Sequence, residues 1–331
     1  MEFRELGKTG IEVSTIAMGC WAIVGGMNWG HQDKKNSLAA LRAAYDGGIT
    51  FFDTAEMYGD GYSEQLIAEA LSDKRSELVI ASKVSPQHFA PADLRAACER
   101  SLTNLKTDYI DLYQLHWPNR DVPLDDSIGT LIKLQEEGKI RAYGVSNFGP
   151  KDLKSSLQSA YEISSNQLAY SMLFRAIEFD IAPMCAENNV SILCYSPLLH
   201  GLLTGKFGTI SDIPTDRART RHFNSNTWPL ARHGEAGAED EMMLVIEGLR
   251  TIANNLEISM ANVALVWLQN QPGVTAVIMG GRNAEQVARN AAAAHTSLTS
   301  ETINQLNILS ASLKEKMGNN ADMWQAVSRI Q

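Results

Sequence analysis

The 331-residue sequence predicts an α/β fold, and within that class a (β/α)8 TIM barrel with an N-terminal β-hairpin and a long loop after strand 7. Three observations carry this expectation. Eight short apolar runs alternate with amphipathic, helix-like segments. The runs are nearly continuous in apolar residues, as parallel strands covered on both faces by crossover helices must be. Eight is also the strand number at which a closed barrel is just filled by its own side chains. With 44% hydrophobic and 20% charged residues, and no Pro/Gly/Ser-rich or single-sign stretch to mark a linker, residues 1–331 are expected to form one domain.

In chain order, MEFRELGKTGIEVS reads as the hairpin, with Gly7 and Gly10 bracketing its turn, placed to plug the N-terminal end of the barrel. The strand candidates are residues 15–20, 49–54, 78–83, 109–116, 140–147, 163–170, 190–196 and 274–281. Between them lie segments such as KNSLAALRAAYDGG, which Gly47 and Gly48 can end, PADLRAACERSLTNL with Pro91 near its start, and SIGTLIKLQEEGK, stopped at Gly138. One connection is too long for the short-loop rule. From Gly201 to about Glu239 the chain is polar and aperiodic, and a loop of this length inside a compact domain is read as a lid.

Charge and cysteine usage narrow the class of partner. A net charge of −9 argues against nucleic acid, which needs a concentrated basic face. No apolar run approaches the roughly 18 residues that span a bilayer, so no membrane partner is expected. The start, MEFRELGK, lacks the apolar core of a secretory signal. Cys20, Cys98, Cys185 and Cys194 are irregularly spaced without a CxxC pair, which fits reduced thiols in a cytoplasmic protein and no metal site. Nothing in the sequence fixes an oligomeric state.

Four polar residues interrupt the apolar pattern where chemistry belongs. Asp53, Lys83 and His116 end the second, third and fourth barrel strands, and Tyr58 follows in the loop after Asp53. Strand ends on that side form the active-site face of such a barrel. Alternation supports a shared inward face, since Phe51 and Asp53, Val79, Ala81 and Lys83, and Leu112, Gln114 and His116 have like parity. A tyrosine is a poor acid near neutrality, with a pKa of about 10, but an adjacent ammonium favours phenolate. Lys83 is expected to lower the pKa of Tyr58 in this way, with Asp53 compensating the buried cation and His116 donating to a substrate oxygen. The set is a general acid beside a carbonyl-polarising donor, without a nucleophile.

The end of the eighth strand runs into IMGGRNAEQVARN. Gly280 and Gly281 are expected to allow close backbone approach, and the following helix N-terminus suits a phosphate. Arg282 can fork onto a 2′-phosphate, with Gln286, Arg289 and Asn290 as further contacts, and no acid stands at 282 to take a free ribose hydroxyl. A dinucleotide held here is therefore expected to be the 2′-phosphorylated form, NADP(H), over NAD. No G-x-G-x-x-G follows a strand, and GLLTGKF at 201–207 fails the phosphate-loop spacing. Trp21, Trp29 and Trp117 follow the first and fourth strands and are expected to line an apolar substrate pocket. Trp324 lies in a polar C-terminal stretch that either folds over the pocket or frays.

The chain resembles the aldo-keto reductase superfamily, of the bacterial general-stress and sugar-aldehyde type. The resemblance is carried by VSTIAMGCW, FFDTAEMYGDGYSE, ASKV, TNLKTDYIDLYQLHWP, GKIRAYGVSNF, NQLAYS, YSPLLHGLLTGK and IMGGRNAEQVARN, in order along nearly the whole chain. It implies Tyr58 as proton donor, Lys83 as the group tuning its acidity, Asp53 as the lysine's partner and His116 as the residue orienting the carbonyl. It further implies Ser146, Asn147 and Gln167 at the nicotinamide carboxamide, Tyr195 stacked on the ring, and Ser196, Leu198 and the segment to Lys206 at the pyrophosphate. The chain departs from mammalian relatives in having Gly280 and Gly281 where they carry Lys-Ser. The expected function is NADPH-dependent reduction of a small-molecule aldehyde or ketone. The alternatives are an NADP(H)-binding regulatory subunit resembling potassium-channel-associated members, and a barrel hydrolase or aldolase with Lys83 as Schiff base.

Overall fold

The computed structural model describes residues 1–26, 29–158 and 161–331. Strands β1 (Phe3–Glu5) and β2 (Glu12–Ser14) pair antiparallel, Phe3 opposite Ser14, with Gly7 and Gly10 at positive φ in the turn. Gly7 is required by contact as well as by conformation, because a Cβ there would stand 2.8 Å from the Ser164 carbonyl. Leu6, Ile11 and Val13 of the hairpin are buried in one cluster with Ala17, Phe51 and Leu112 of the barrel interior. The hairpin is thus the plug that its sequence predicts.

The eight expected strands are all present: β3 (Ile16–Gly19), β4 (Phe51–Asp53), β5 (Val79–Val84), β6 (Ile110–Leu115), β7 (Ile140–Ser146), β8 (Ser165–Ala169), β9 (Ser191–Tyr195) and β10 (Val274–Gly280). They are parallel and close in sequence order, with β10 pairing back to β3 through Val277 opposite Ile16. The outer layer is formed by α1 (Lys34–Asp46), α2 (Tyr62–Leu71), α3 (Pro91–Leu105), α4 (Leu124–Glu136), α5 (Pro150–Gln158), α6 (Ile181–Glu187), α7 (Glu239–Leu256), α8 (Met260–Gln269) and α9 (Ala284–Ala291), followed by α10 (Ser300–Leu309) and α11 (Ala311–Met317). Local sequence sets their starts. Asp33, Ser259 and Asn283 cap α1, α8 and α9 by accepting from the third residue onward, and Pro91 opens α3 where its missing N–H costs nothing. The Leu, Ile and Phe side chains buried between strands and helices each contribute roughly 1.5–3 kcal/mol. No described helix is long and apolar enough to cross a membrane.

The long connection after β9 contains two short 3-10 segments, Leu199–Thr204 and Ile210–Asp212, and otherwise irregular chain up to α7. Its hydrophobic residues do not follow a period, yet Ile213, Phe223, Ala231 and Ala238 are buried. Arg221 fixes it from within: the guanidinium holds Glu235 at 2.7 and 3.1 Å and reaches the Asn320 carbonyl at 3.1 Å, while its own N–H donates to Met323. The C-terminal stretch is therefore docked rather than frayed. Fully buried Asp322 accepts from Arg329 at 2.6 and 2.9 Å, and the Trp324 ring lies 5.3 Å from that of His200.

Two histidines of this connection, His222 fully buried and His200 half-buried with both ring nitrogens out of solvent, make its stability depend on acid. Burial pushes His222 down to about 4 and His200 to about 3 from an ordinary 6.5, and nearby arginines add to the effect on His200. Below 6.5 the unfolded chain binds protons that the folded chain refuses, so stability is present above 6.5 and is lost as pH falls toward those values, by up to about 1.4 kcal/mol per histidine per pH unit. Thermal unfolding followed from pH 7.5 to 4.5 is expected to show a steadily falling midpoint. His222→Gln is expected to flatten that slope.

Candidate active site

The C-terminal ends of the strands bring the four predicted residues together. Asp53 is the last residue of β4, Lys83 lies near the end of β5 and His116 directly follows β6. Tyr58 is presented by a tight turn in which Gly59, Asp60 and Gly61 all have positive φ. That turn is anchored by Glu56, which the sequence reading did not single out. Its carboxylate accepts from Ser85 N at 2.7 Å, from Arg100 at 3.1 Å, and meets His88 Nδ1 at 2.8 Å, tying the Tyr58 loop to the end of β5. The available signal was a second acid, three residues after Asp53, in the stretch ITFFDTAEM.

Lys83 is completely buried, and its Nζ donates to Asp53 Oδ1 at 2.7 Å and to the Thr54 carbonyl at 2.8 Å. The Thr54 hydroxyl donates to Ser63, which donates to the Cys20 carbonyl, so the neighbouring turn is held from both sides. Nζ stands 5.1 Å from the centre of the Tyr58 ring. The His116 ring meets Tyr58 edge-on at 5.7 Å, and Trp21 stacks against the other side of the phenol at 6.1 Å.

The electrostatics correct one expectation. Tyr58 is held well above 10, because burial opposes phenolate and the charge of Asp53 adds to it, with Cys20 a lesser cause. The ammonium that was to lower it is instead neutralised by Asp53, whose carboxylate also faces the phenol. Tyr58 therefore carries its proton at neutral pH. Burial, then the charge of Lys83, pushes His116 well below 6.5, so its imidazole is neutral, and Nδ1 is buried without a partner among the described residues.

Residues expected at the cofactor form two groups. Ser146, Asn147, Gln167 and Tyr195 make a connected polar wall: Ser146 Oγ donates to the Gln167 carbonyl at 3.0 Å, Asn147 Nδ2 to Ser146 Oγ and the His116 carbonyl at 3.1 Å, and Tyr195 OH to Asn147 Oδ1 at 2.9 Å. Gln167 Nε2 is committed to Asp53 Oδ2 at 2.7 Å, a contact absent from its expected carboxamide role. Beyond the wall, Ser196 has positive φ, Leu198 is half-buried and Lys206 is exposed.

The second group gathers at the end of β10, where its side chains are engaged with the protein itself. Arg282 Nε donates to Gln32 Oε1 at 2.9 Å and Nη2 to the His31 carbonyl, while Gln286 accepts from Arg282 N at 3.0 Å and Asn290 donates to the Gly280 carbonyl at 3.1 Å. Arg289 is exposed and faces Glu285 at 3.7 Å. Close approach is required at Gly281, where a Cβ would stand 2.5 Å from Val287 Cγ2. At Gly280 a Cβ would meet nothing within 4 Å, so the contact that requires glycine here is the packing of Gly281 on the helix that follows. Around the mouth, Trp29 packs perpendicular to Trp21 at 5.5 Å under the guanidinium of Arg217, and Trp117 is covered by Arg329 at 4.1 Å.

A closed eight-stranded barrel carries at its strand ends a lysine–aspartate pair, a tyrosine that keeps its proton and a neutral histidine. Residues 15–311 match the Aldo/keto reductase family. Aldo-keto reductase YhdN of Bacillus subtilis is 32% identical over 330 residues, 96% of each chain. A crystal structure of an aldo-keto reductase from Klebsiella pneumoniae in complex with NADPH superposes with a TM-score of 0.73 at 31% identity, covering 93% of this chain and 94% of that one. A relative from Arabidopsis thaliana, named as a probable voltage-gated potassium channel subunit beta, is 27% identical over 88% of this chain and 90% of its own. The chain belongs to the aldo/keto reductase family.

The buried pair generates a stability test. Asp53→Leu leaves the ammonium of Lys83 uncompensated and is expected to cost roughly 3–5 kcal/mol, whereas adding Lys83→Met is expected to recover much of that loss. Urea unfolding of the two single variants and the double variant measures the coupling. Additive losses would show that the pair does not act as a unit.

Proposed function

We propose that the protein reduces aldehydes or ketones to alcohols, with the hydride supplied by NADPH and the proton by Tyr58. The observation that carries this reading is the cluster at the strand ends, where a protonated phenol lies between the Lys83–Asp53 pair and a neutral imidazole. Bound NADPH supplies a hydride equivalent from its nicotinamide. Tyr58 gives its proton to the carbonyl oxygen as negative charge develops there. The Lys83 ammonium, 5.1 Å from the ring centre, stabilises the phenolate left behind. His116, neutral and nearly buried, orients the carbonyl by donating a hydrogen bond. Trp21, Trp29 and Trp117 surround this polar point with apolar surface, which discriminates weakly among carbonyl compounds and fits tolerance of small and aromatic aldehydes.

The donor set fits the cofactor. Ser146 and Asn147 offer a hydroxyl and an amide to a carboxamide, Gln167 stands beside them with its Nε2 on Asp53, and Tyr195 offers an aromatic face for the ring. Ser196, Leu198 and Lys206 would hold the pyrophosphate. Gly280, Arg282, Gln286 and Asn290 would hold the adenosine end, with Arg282 turning from His31 and Gln32 toward a 2′-phosphate. A cytoplasmic location belongs to the same reading, supported by four buried cysteines without disulfides. The Arabidopsis relative favours a second reading as an NADP(H)-binding regulatory subunit. The complete proton-donating cluster favours the enzyme.

Turnover of NADPH with a panel of aldehydes tests the reading. Tyr58→Phe is expected to abolish turnover while NADPH still binds, measured by fluorescence titration, and full activity would sink the mechanism. A wild-type protein that binds NADPH and oxidises it with no aldehyde or ketone would favour the regulatory reading. For cofactor choice, Arg282→Ala is expected to weaken NADPH at least about tenfold more than NADH, the scale of a lost charge-assisted pair. Equal weakening of the two would refute the phosphate contact.

A further inference from the structure

Gln167 is the buried group beside the proton-donating cluster whose bonds are not explained by a cofactor contact. It projects from β8 into the barrel, is 3% exposed, and donates from Nε2 to Asp53 Oδ2 at 2.7 Å while Lys83 donates to Oδ1 at the same distance. Asp53 thus has a charged donor on one oxygen and a neutral donor on the other. A buried carboxylate oxygen without a donor is costly, so the side-chain amide of Gln167 holds Asp53 in the orientation that meets Lys83. The backbone carbonyl of the same residue, fixed in β8, accepts from Asn147 N at 2.9 Å and Ser146 Oγ at 3.0 Å. Gln167 is bonded on one side to the ion pair and on the other to the wall that suits a ligand amide.

We propose that Gln167 is a positioning residue that fixes the Asp53 carboxylate against Lys83 and thereby sets how readily Tyr58 gives up its proton, so that contacts at the amide wall are transmitted to the acid. The inference rests on Tyr58 as the proton donor. The titratable groups facing this centre are Cys20 after β3, Tyr58 itself, Lys83 on β5, His116 after β6 and Tyr195 on β9, with Asp322 and Arg329 of the C-terminal stretch bearing on Tyr195. Cys20, Tyr58, His116 and Tyr195 are neutral near pH 7, which leaves Asp53 and Lys83 as the charges that act on the phenol. Asp53 opposes phenolate and Lys83 favours it. Loss of the Gln167 donor frees the Asp53 carboxylate from its fixed place beside the phenol, so Tyr58 becomes more acidic and its supporting lysine less well held.

Gln167→Met removes the donor at similar volume, and Gln167→Glu restores it only when the new carboxyl is protonated. In the cofactor-free protein carrying ¹³C-labelled tyrosine, with the Tyr58 resonance assigned through Tyr58→Phe, Gln167→Met is expected to start the Tyr58 titration about one pH unit lower than in the wild type. With NADPH, kcat near pH 7 is expected to fall about tenfold and the basic limb of its pH profile to move the same way. Gln167→Glu is expected to recover activity as pH is lowered through the titration of the glutamic acid. A raised Kd for NADPH with an unchanged Tyr58 titration and an unchanged pH profile would overturn the proposal and leave Gln167 as a cofactor contact alone. Should Gln167→Met not fold, the comparison of Gln167→Glu at pH 5.5 and pH 8 decides: no recovery at the lower pH overturns it. Retained turnover in Tyr58→Phe would instead remove the proton-donor assignment, whatever Gln167 does.

Discussion

The bond between Lys83 and Asp53 is the constraint around which the mouth of the barrel is built. A fully buried ammonium is tolerable only with a close anion, and Asp53 stands at 2.7 Å because β4 and β5 are paired neighbours with Asp53 opposite Ala81. The pair then dictates its surroundings. The Thr54 carbonyl takes a second donor of Lys83, the Thr54 hydroxyl braces Ser63, and Gln167 crosses the lumen to the far oxygen of Asp53. Each of these contacts fixes a different strand end or turn at the same level of the barrel. The geometry of the site is therefore a consequence of keeping one buried charge pair satisfied.

Much of this was legible in the sequence because the signals are local. Eight apolar runs gave eight strands with ends displaced by one or two residues, and the hairpin was visible from Gly7 and Gly10. Asp53, Lys83 and His116 stood out as polar residues at the ends of apolar runs. What was not legible depends on distance across the fold. The bond from Gln167 to Asp53 joins residues 114 apart in sequence, and the clasp of Arg282 on Gln32 joins residues 250 apart. The 201–239 connection read as a polar lid because its buried residues, Ile213, Phe223 and Ala231, follow neither a helical nor a strand period. Irregular chain can bury single side chains without any repeat that a sequence displays.

The direction of the Tyr58 shift was misread for a related reason. Sequence places an amine near a phenol and invites the inference that the amine makes the phenol more acidic. The structure adds two quantities that sequence does not contain, the depth of burial and the distribution of Asp53 between Lys83 and Tyr58. Both favour the neutral phenol, and the pair of Lys83 and Asp53 has no net charge with which to oppose them.

A resting phenol of low acidity is compatible with proton donation, and the apparent conflict dissolves once the reaction coordinate is considered. A donor must hold its proton until the acceptor becomes basic, and a carbonyl oxygen is a very weak base before hydride arrives and a strong one as alkoxide character develops. In the proposed reaction, desolvation that keeps Tyr58 protonated at rest would also strengthen the attraction of Lys83 for the phenolate formed in the transition state, because both act in the same low-dielectric space. In the same proposal the neutral imidazole of His116 would donate a hydrogen bond without placing a second cation beside Lys83. Acidity in such a site is produced during the reaction by charge that appears on the substrate, and the fold's contribution is to have the ion pair, the phenol and the imidazole in place before it does.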